Sequence, residues 1–407
     1  MNHYHKYLKY KHKYIFLKNK LNLSNNQFAG KKLSDHNSEI KLNNGLDMIK
    51  NNIPDANNMF TLSMFDNLDG SSNLFSPIGI SFALSLVHLG AIGNTNNELT
   101  KLLGYKYTLD DLEYIHELFN NEIMTINNVM IINQNNKINK EYLNMIHNLA
   151  LILEEKNDDT ALISQKANNY IKEKTNSMIK NVISPNDINK YTSLILINTI
   201  YFRASWEHNF LVENTTKMEF HQTESNLVDM MHQINYFKYY ENKSLQLVEL
   251  PYNEKNYVMG IILPRKYLEE ENMDYSMGNV PDLTPNELNE FINNTELKKI
   301  DLYIPKFTHR KNINLVPIFK KMGVIDLFDM KKAQLDIISK EIFISKIVHE
   351  AAVIVDEIGT KAAAVTASIV KQHEINPILF KANHAFIYYI RYVPSNIFLF
   401  YGDYQGK

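Results

Sequence analysis

The 407-residue chain contains no cysteine, which excludes a disulfide framework, a thiol nucleophile and any cysteine-ligated metal. No apolar run approaches the roughly 18 residues that a membrane span needs. Neither sign of charge predominates: 43 Lys and Arg against 45 Asp and Glu give a formal net charge of -2, so there is no electrostatic footprint for nucleic acid. Tryptophan occurs once, as Trp206. Enzyme signatures are missing as well. His349-Glu350 has no second histidine at helical metalloprotease spacing, no Gly-rich phosphate loop follows a strand, and no Gly-x-Ser-x-Gly elbow occurs. The 14 histidines fall in the N-terminal stretch or are scattered, and a lone histidine is more often structural than catalytic. The chain therefore reads as a non-enzyme, with no catalytic residue, no metal and no cofactor.

What is present is enough apolar sequence, 44% of residues, to bury a sizeable core. The first fifty or so residues differ in kind. His3 to Lys20 is basic and Tyr-rich, and the stretch to Asn52 is polar and rich in Asn, Lys and Ser. Residues 1–53 read as a poorly ordered extension, or as a basic arm for an anionic partner such as a glycosaminoglycan. The run Tyr14 to Leu17, closed off by Lys13 and Lys18, is too short for a secretory signal. Beyond it, helical spacing marks Ala56 to Leu68, Ile80 to Leu89, Asn97 to Leu103, Leu109 to Phe119 and Ser164 to Ile179. Leu194 to Phe202 is apolar throughout, as a central strand buried on both faces must be. Further strands are expected at Tyr236 to Tyr240, Leu245 to Leu250, Tyr257 to Leu263, Ile300 to Ile304, Ala385 to Arg391 and Asn396 to Tyr401. The mixture, without a regular repeat, points to α+β.

The most informative segment runs from Ile347 to Lys371. Val353, Ile354 and Val355 have strong strand preference, Asp356-Glu357-Ile358-Gly359 breaks the run, and Thr360 onward is built mainly from Ala, Thr, Val and Ser. If residues 360–370 became extended, Thr360, Ala362, Ala364, Thr366, Ser368 and Val370 would share one face and Lys361 and Lys371 would lie on the other. The first face is small and uncharged, as sliding into an existing sheet requires. Alanine also favours a helix here, and these residues alone leave both readings open. Two polar residues stand out inside apolar strands: Asn198, and His349 just before Ala351. Buried there, each must find hydrogen-bond partners.

From about residue 54 to the C-terminus the motifs resemble those of the serpin family, in family order. Asn73-Leu-Phe-Ser76-Pro77-Ile-Gly-Ile-Ser81 with His88 to Thr95, Leu194 to Trp206 with Phe210, Ile304-Pro305-Lys306-Phe307, Leu315 to Phe328 and Phe380 to Gly402 all match. The resemblance implies one domain over residues 54–407, with helices around three β-sheets and an exposed reactive-centre loop at about 358–379. It places Ser76, Asn198 and His349 together beneath the central sheet, in the shutter, with Gly79 where the family commonly has a second serine. Trp206, Lys306 and Glu357 fall at the breach, where the loop first enters, and Ala204 replaces a common glycine. Glu357, Gly359, Thr360, Ala362, Ala363 and Ala364 form the hinge. Counting along the loop puts the reactive bond at His373-Glu374, with Lys371-Gln372 as the alternative.

The function implied is suicide inhibition of a serine protease, trapped as an acyl-enzyme when the cleaved loop enters the sheet of a metastable fold. Inhibition of a cysteine protease, or a non-inhibitory carrier or chaperone, are the alternatives. The small face at Thr360, Ala362 and Ala364 favours an inhibitor. The expected partner is the target protease, bound covalently to a monomer, with loop-sheet polymers as an off-pathway product. The family leans extracellular; the lack of a clear signal leans cytoplasmic.

Overall fold

Helix α1, residues 52–66, opens the part of the chain that the computed structural model describes, namely residues 52–70, 72–155, 159–221, 226–265, 283–359 and 376–406. The expected extension lies outside these residues, except that Asn52 and Ile53 already belong to α1. Pro54 sits in the first turn, where its missing N–H removes no helical bond. Helix α2, Pro77–His88, is buried along its whole length and packs against both sheets. Its start is set by Pro77 at the first helical position and by Ser76, whose hydroxyl caps the Gly79 N–H. Helices α3 (Gly93–Leu103), α4 (Leu109–Phe119), α5 (Lys140–Ile146), α6 (Thr160–Lys174), α7 (Pro285–Asn293) and α8 (Val316–Lys321) surround the sheets.

Helix α6 ends sooner than the expected Ile179. Thr175 turns its hydroxyl back to the Ile171 carbonyl, and Asn176 and Ser177 adopt positive φ, which stops the helix.

The first sheet has five strands in the order β10 (Phe307–Asn314), β11 (Ile344–Val355), β4 (Leu194–Phe202), β2 (Met124–Asn133) and β3 (Leu151–Glu155). One of its faces rests on α2, and the other is covered by a second apolar cluster that includes Ile163, Ala167 and Ile171 of α6. Burial on both sides accounts for the unbroken apolar sequence of β4. Strand β11 is antiparallel to β10, but β11 and β4 run parallel.

The second sheet has nine strands: β1 (Leu74–Phe75), β14 (Ile397–Tyr404), β13 (Phe386–Tyr392), β8 (Tyr257–Pro264), β7 (Leu245–Pro251), β6 (Asn226–Glu241), β9 (Glu296–Pro305) and β12 (Ile378–Lys381) in order, with β5 (Thr216–Phe220) also on β6. The α+β architecture is the expected one. Its three expected sheets are joined by hydrogen bonding into two, because the 16-residue β6 pairs with β5 at its start and with β7 at its end.

Candidate functional site

The expected site residues gather along the seam between β4 and β11, one group at its middle and one at its upper end. The seam is paired from Ile344 opposite Leu194 to Ala352 opposite Tyr201. Above that, β11 continues to Val355 on β10 alone, so the two parallel strands separate at the top.

At the middle, His349 faces Asn198 across the seam and Asn198 faces Asn128 in β2. These three and Ser76 are buried. The Ser76 N–H donates to His349 Nε2 at 2.9 Å. Since that nitrogen accepts, Nδ1 carries the proton and donates to Asn198 Oδ1 at 2.8 Å. Asn198 Nδ2 donates in turn to Asn128 Oδ1 at 2.8 Å, and Asn128 Nδ2 reaches the Leu149 carbonyl at 3.4 Å. Burial pushes the His349 imidazole down to about 3, so the ring is neutral.

Gly79 is explained by this packing: a Cβ there would lie 2.8 Å from Asn198 Oδ1 and 3.0 Å from Ser76 Oγ. The glycine lets the Asn198 amide reach the helix start. Its N–H donates to Ser76 Oγ at 3.1 Å.

At the upper end, the chain leaving β11 is tied to the segment that follows β4. Trp206 Nε1 donates to the Asp356 carbonyl at 2.8 Å, the Phe210 N–H to the Glu357 carbonyl at 2.8 Å and the Trp206 N–H to the Ile358 carbonyl at 3.2 Å. The indole is buried and stacked on Tyr252, with ring centroids 4.5 Å apart. Lys306 Nζ donates to Glu357 Oε2 at 2.7 Å, and Thr215 Oγ1 to Glu357 Oε1 at 3.0 Å. Burial raises the Glu357 carboxyl, but its hydrogen bonds, that from Lys306 foremost, outweigh burial and hold it below its ordinary value.

Gly359 closes the turn. Its φ of +81° suits glycine, a Cβ would lie 2.4 Å from the Ala204 carbonyl oxygen, and it bridges antiparallel to Ser205. Its N–H donates to the Asp356 carbonyl at 3.3 Å.

Thus Ser76, Asn198 and His349 meet, as do Trp206, Lys306 and Glu357. Thr360, Ala362, Ala363 and Ala364, with Lys371, Gln372, His373 and Glu374, lie outside the described residues. Asn128, Thr215 and Tyr252 are participants that sequence reading missed. Asn128 carried the same signal as Asn198, an amide inside an apolar run; Thr215 and Tyr252 had none. Among the described residues no group of three or more His, Asp or Glu could hold a metal ion, and no helix is long and apolar enough to cross a membrane.

Comparison with known proteins gives one answer. A family model described as "Serpin (serine protease inhibitor)" matches residues 55–405. An uncharacterized serpin-like protein of Acanthamoeba polyphaga mimivirus is 48% identical, with 100% of each chain covered. The leukocyte elastase inhibitor of Sus scrofa is 33% identical over 85% of this chain and 97% of its own. Among solved structures, native protease nexin-1 with heparin superposes with a TM-score of 0.77 at 24% identity, covering 87% of this chain and 99% of the other. With the family model spanning the whole sheet-and-helix unit, the chain belongs to the serpin family.

Proposed function

We propose that this protein is a suicide inhibitor of a serine protease, whose cleaved loop enters the β4–β11 seam as a new strand. The parallel pairing of β4 with β11 carries the reading. A strand running opposite to both would turn one parallel contact into two antiparallel ones. Gly359, bridged antiparallel to Ser205, already has that direction.

Register supports it from two sides. Extending the Ser205–Gly359 bridge down β4 brings Thr366 opposite Asn198. Extending the tight turn from Asp356 to Gly359 down β11 brings Thr366 opposite His349. Asn198 and His349 are themselves partners across the seam, so the two extrapolations close on one residue. Opposed residues point to the same face, so Thr360, Ala362, Ala364 and Thr366 join the buried side with Asn198 and His349. Thr360 meets Val355 and Ala204, both buried. Lys361 meets Ile354 and Arg203 on the other face, where both are partly exposed.

The protease serine oxygen attacks the loop carbonyl, the peptide bond breaks, its nitrogen leaves protonated as a new amino terminus, and the upstream segment remains esterified to the serine as an acyl-enzyme. Insertion then carries the tethered protease the length of the seam, as loop insertion does in serpins. Filling the seam with an eleven-residue strand forms roughly ten more backbone hydrogen bonds than it breaks, each worth about 1 kcal/mol net. The reactive bond is placed at His373-Glu374, with Lys371-Gln372 second. Replacing Thr360 with Arg puts a charge against Val355 and Ala204. The loop should still be cut, while the detergent-stable adduct disappears from a denaturing gel. An undiminished adduct refutes the insertion route.

A further inference from the structure

Away from the seam, the outer side of the nine-stranded sheet contains a cavity of about 390 Å³ between β6, β7, β8 and the end of β13, within the range of small-molecule sites. Two charged residues at its base are almost fully buried, Glu249 at 1% and Arg391 at 5% exposure. Arg391 Nε donates to Glu249 Oε1 at 2.7 Å and Nη2 to Oε2 at 2.8 Å. The Tyr389 hydroxyl donates to Oε1 at 2.9 Å. Tyr389 reaches Glu249 by lying across β8 at Gly260, where a Cβ would sit 2.0 Å from the ring. This glycine is required by the close approach.

The consequence lies at the rim. Lys238 is the cross-strand partner of Glu249, yet that carboxylate is held by Arg391 and Tyr389, and among the described residues Lys238 has no acidic partner. Arg391 Nη1 donates to Asn396 at 3.3 Å, so the guanidinium is held by Glu249 and Asn396 and leaves Lys238 as the cation of the lining without an acidic partner. Lys255 stands 3.9 Å from Glu207 at the mouth. The lining therefore carries one more cation than anion. Its walls are apolar: Val258 and Pro251 inside, with Tyr236 44% and Leu297 68% exposed at the edge. Exposed apolar surface beside an unpaired cation fits a molecule with an apolar body and one negative end.

We propose that this cavity binds a small amphipathic carboxylate, its acid group on Lys238 and its chain along Tyr236, Leu297 and Val258. The site stands whether or not the loop inserts. It shares a wall with the breach, since Glu207 and Pro251 both line it and the Glu207 N–H donates to the Pro251 carbonyl at 2.9 Å, next to the Trp206–Tyr252 stack. The single tryptophan is thus a built-in reporter.

The test is titration of the full chain with decanoate, followed by Trp206 emission and by calorimetry, with 1-decanol as the uncharged probe. Saturable decanoate binding is expected, with 1-decanol at least tenfold weaker. Lys238→Glu and Leu297→Asp, both at exposed positions, should each weaken decanoate at least tenfold while leaving the melting temperature in place. Absence of saturable heat below about 1 mM decanoate, or of any selectivity in affinity, would overturn the proposal. So would decanoate affinity unchanged in both variants, which would locate binding elsewhere.

Discussion

The two sheets hold their central strands together in different ways. In the nine-stranded sheet the contacts between β13 and β14 are interlocked rings: Phe398 sits edge-on to Tyr389 with centroids 5.1 Å apart, and Phe386 packs on its cross-strand partner Tyr404 at 5.4 Å. In the five-stranded sheet the middle of the β4–β11 seam is a row of amides and one imidazole joined by hydrogen bonds near 2.8 Å. Interdigitated rings cannot separate without opening a void, whereas hydrogen bonds can be exchanged for others of similar strength. On the proposed insertion route, the first sheet stays shut while the second parts along the seam.

The largest expected effect comes from the shut side. Phe398→Ala should cost about 3–5 kcal/mol in urea unfolding, whereas Asn198→Ala, which strands the amide of Asn128 and the ring of His349, should cost about 1–3 kcal/mol. The seam variant should nevertheless be the one that inserts or polymerises on mild warming, read by native gel. Equal costs with no difference in polymerisation would erase the contrast.

The next effect is a pH dependence. His349 is neutral when folded because burial pushes it down to about 3 from an ordinary value of 6.5. The unfolded chain binds the extra proton, so stability is complete above about 6.5 and falls as pH drops toward 3. The slope is at most about 1.4 kcal/mol per pH unit. Comparing unfolding at pH 7 and pH 5 should show a smaller loss in His349→Gln than in wild type; identical losses would remove the imidazole from the account.

The smallest effect belongs to the upper end of the seam. Lys306 is half exposed, so Glu357→Gln should change stability by about 1 kcal/mol or less. Because the folded Glu357 carboxyl lies below its ordinary value, the pair's contribution is present above the ordinary carboxylate range and fades as pH falls through the folded value. Glu357→Gln should lose that acid-side dependence.

Much of this was legible in the sequence. The bounds of β4 and α4 match the expected Leu194 to Phe202 and Leu109 to Phe119, since period and caps are local signals. Asn198 and His349 announced themselves as polar residues in apolar strands. Strand β2 went unread although Asn127-Asn128 interrupts its apolar run in the same fashion. Strand β10 went unread because only Phe307 and Ile313 of its eight residues are apolar, too few to show a period. Thr215 and Tyr252 act through contacts that span the fold, Thr215 reaching Glu357, and nothing near them in sequence encodes that. Gly79 looked like a loss of a hydroxyl; only packing shows it as room for Asn198.

The central claim is that the closed seam stores free energy that a cut loop releases. Circular dichroism and thermal melting before and after a single cleavage within residues 360–375 test it most directly. Stabilisation on the order of 10 kcal/mol corresponds to a rise of about 10 °C or more in a chain of this size, accompanied by added β-structure. A cleaved protein that melts where the intact one does, with an unchanged spectrum, contradicts it.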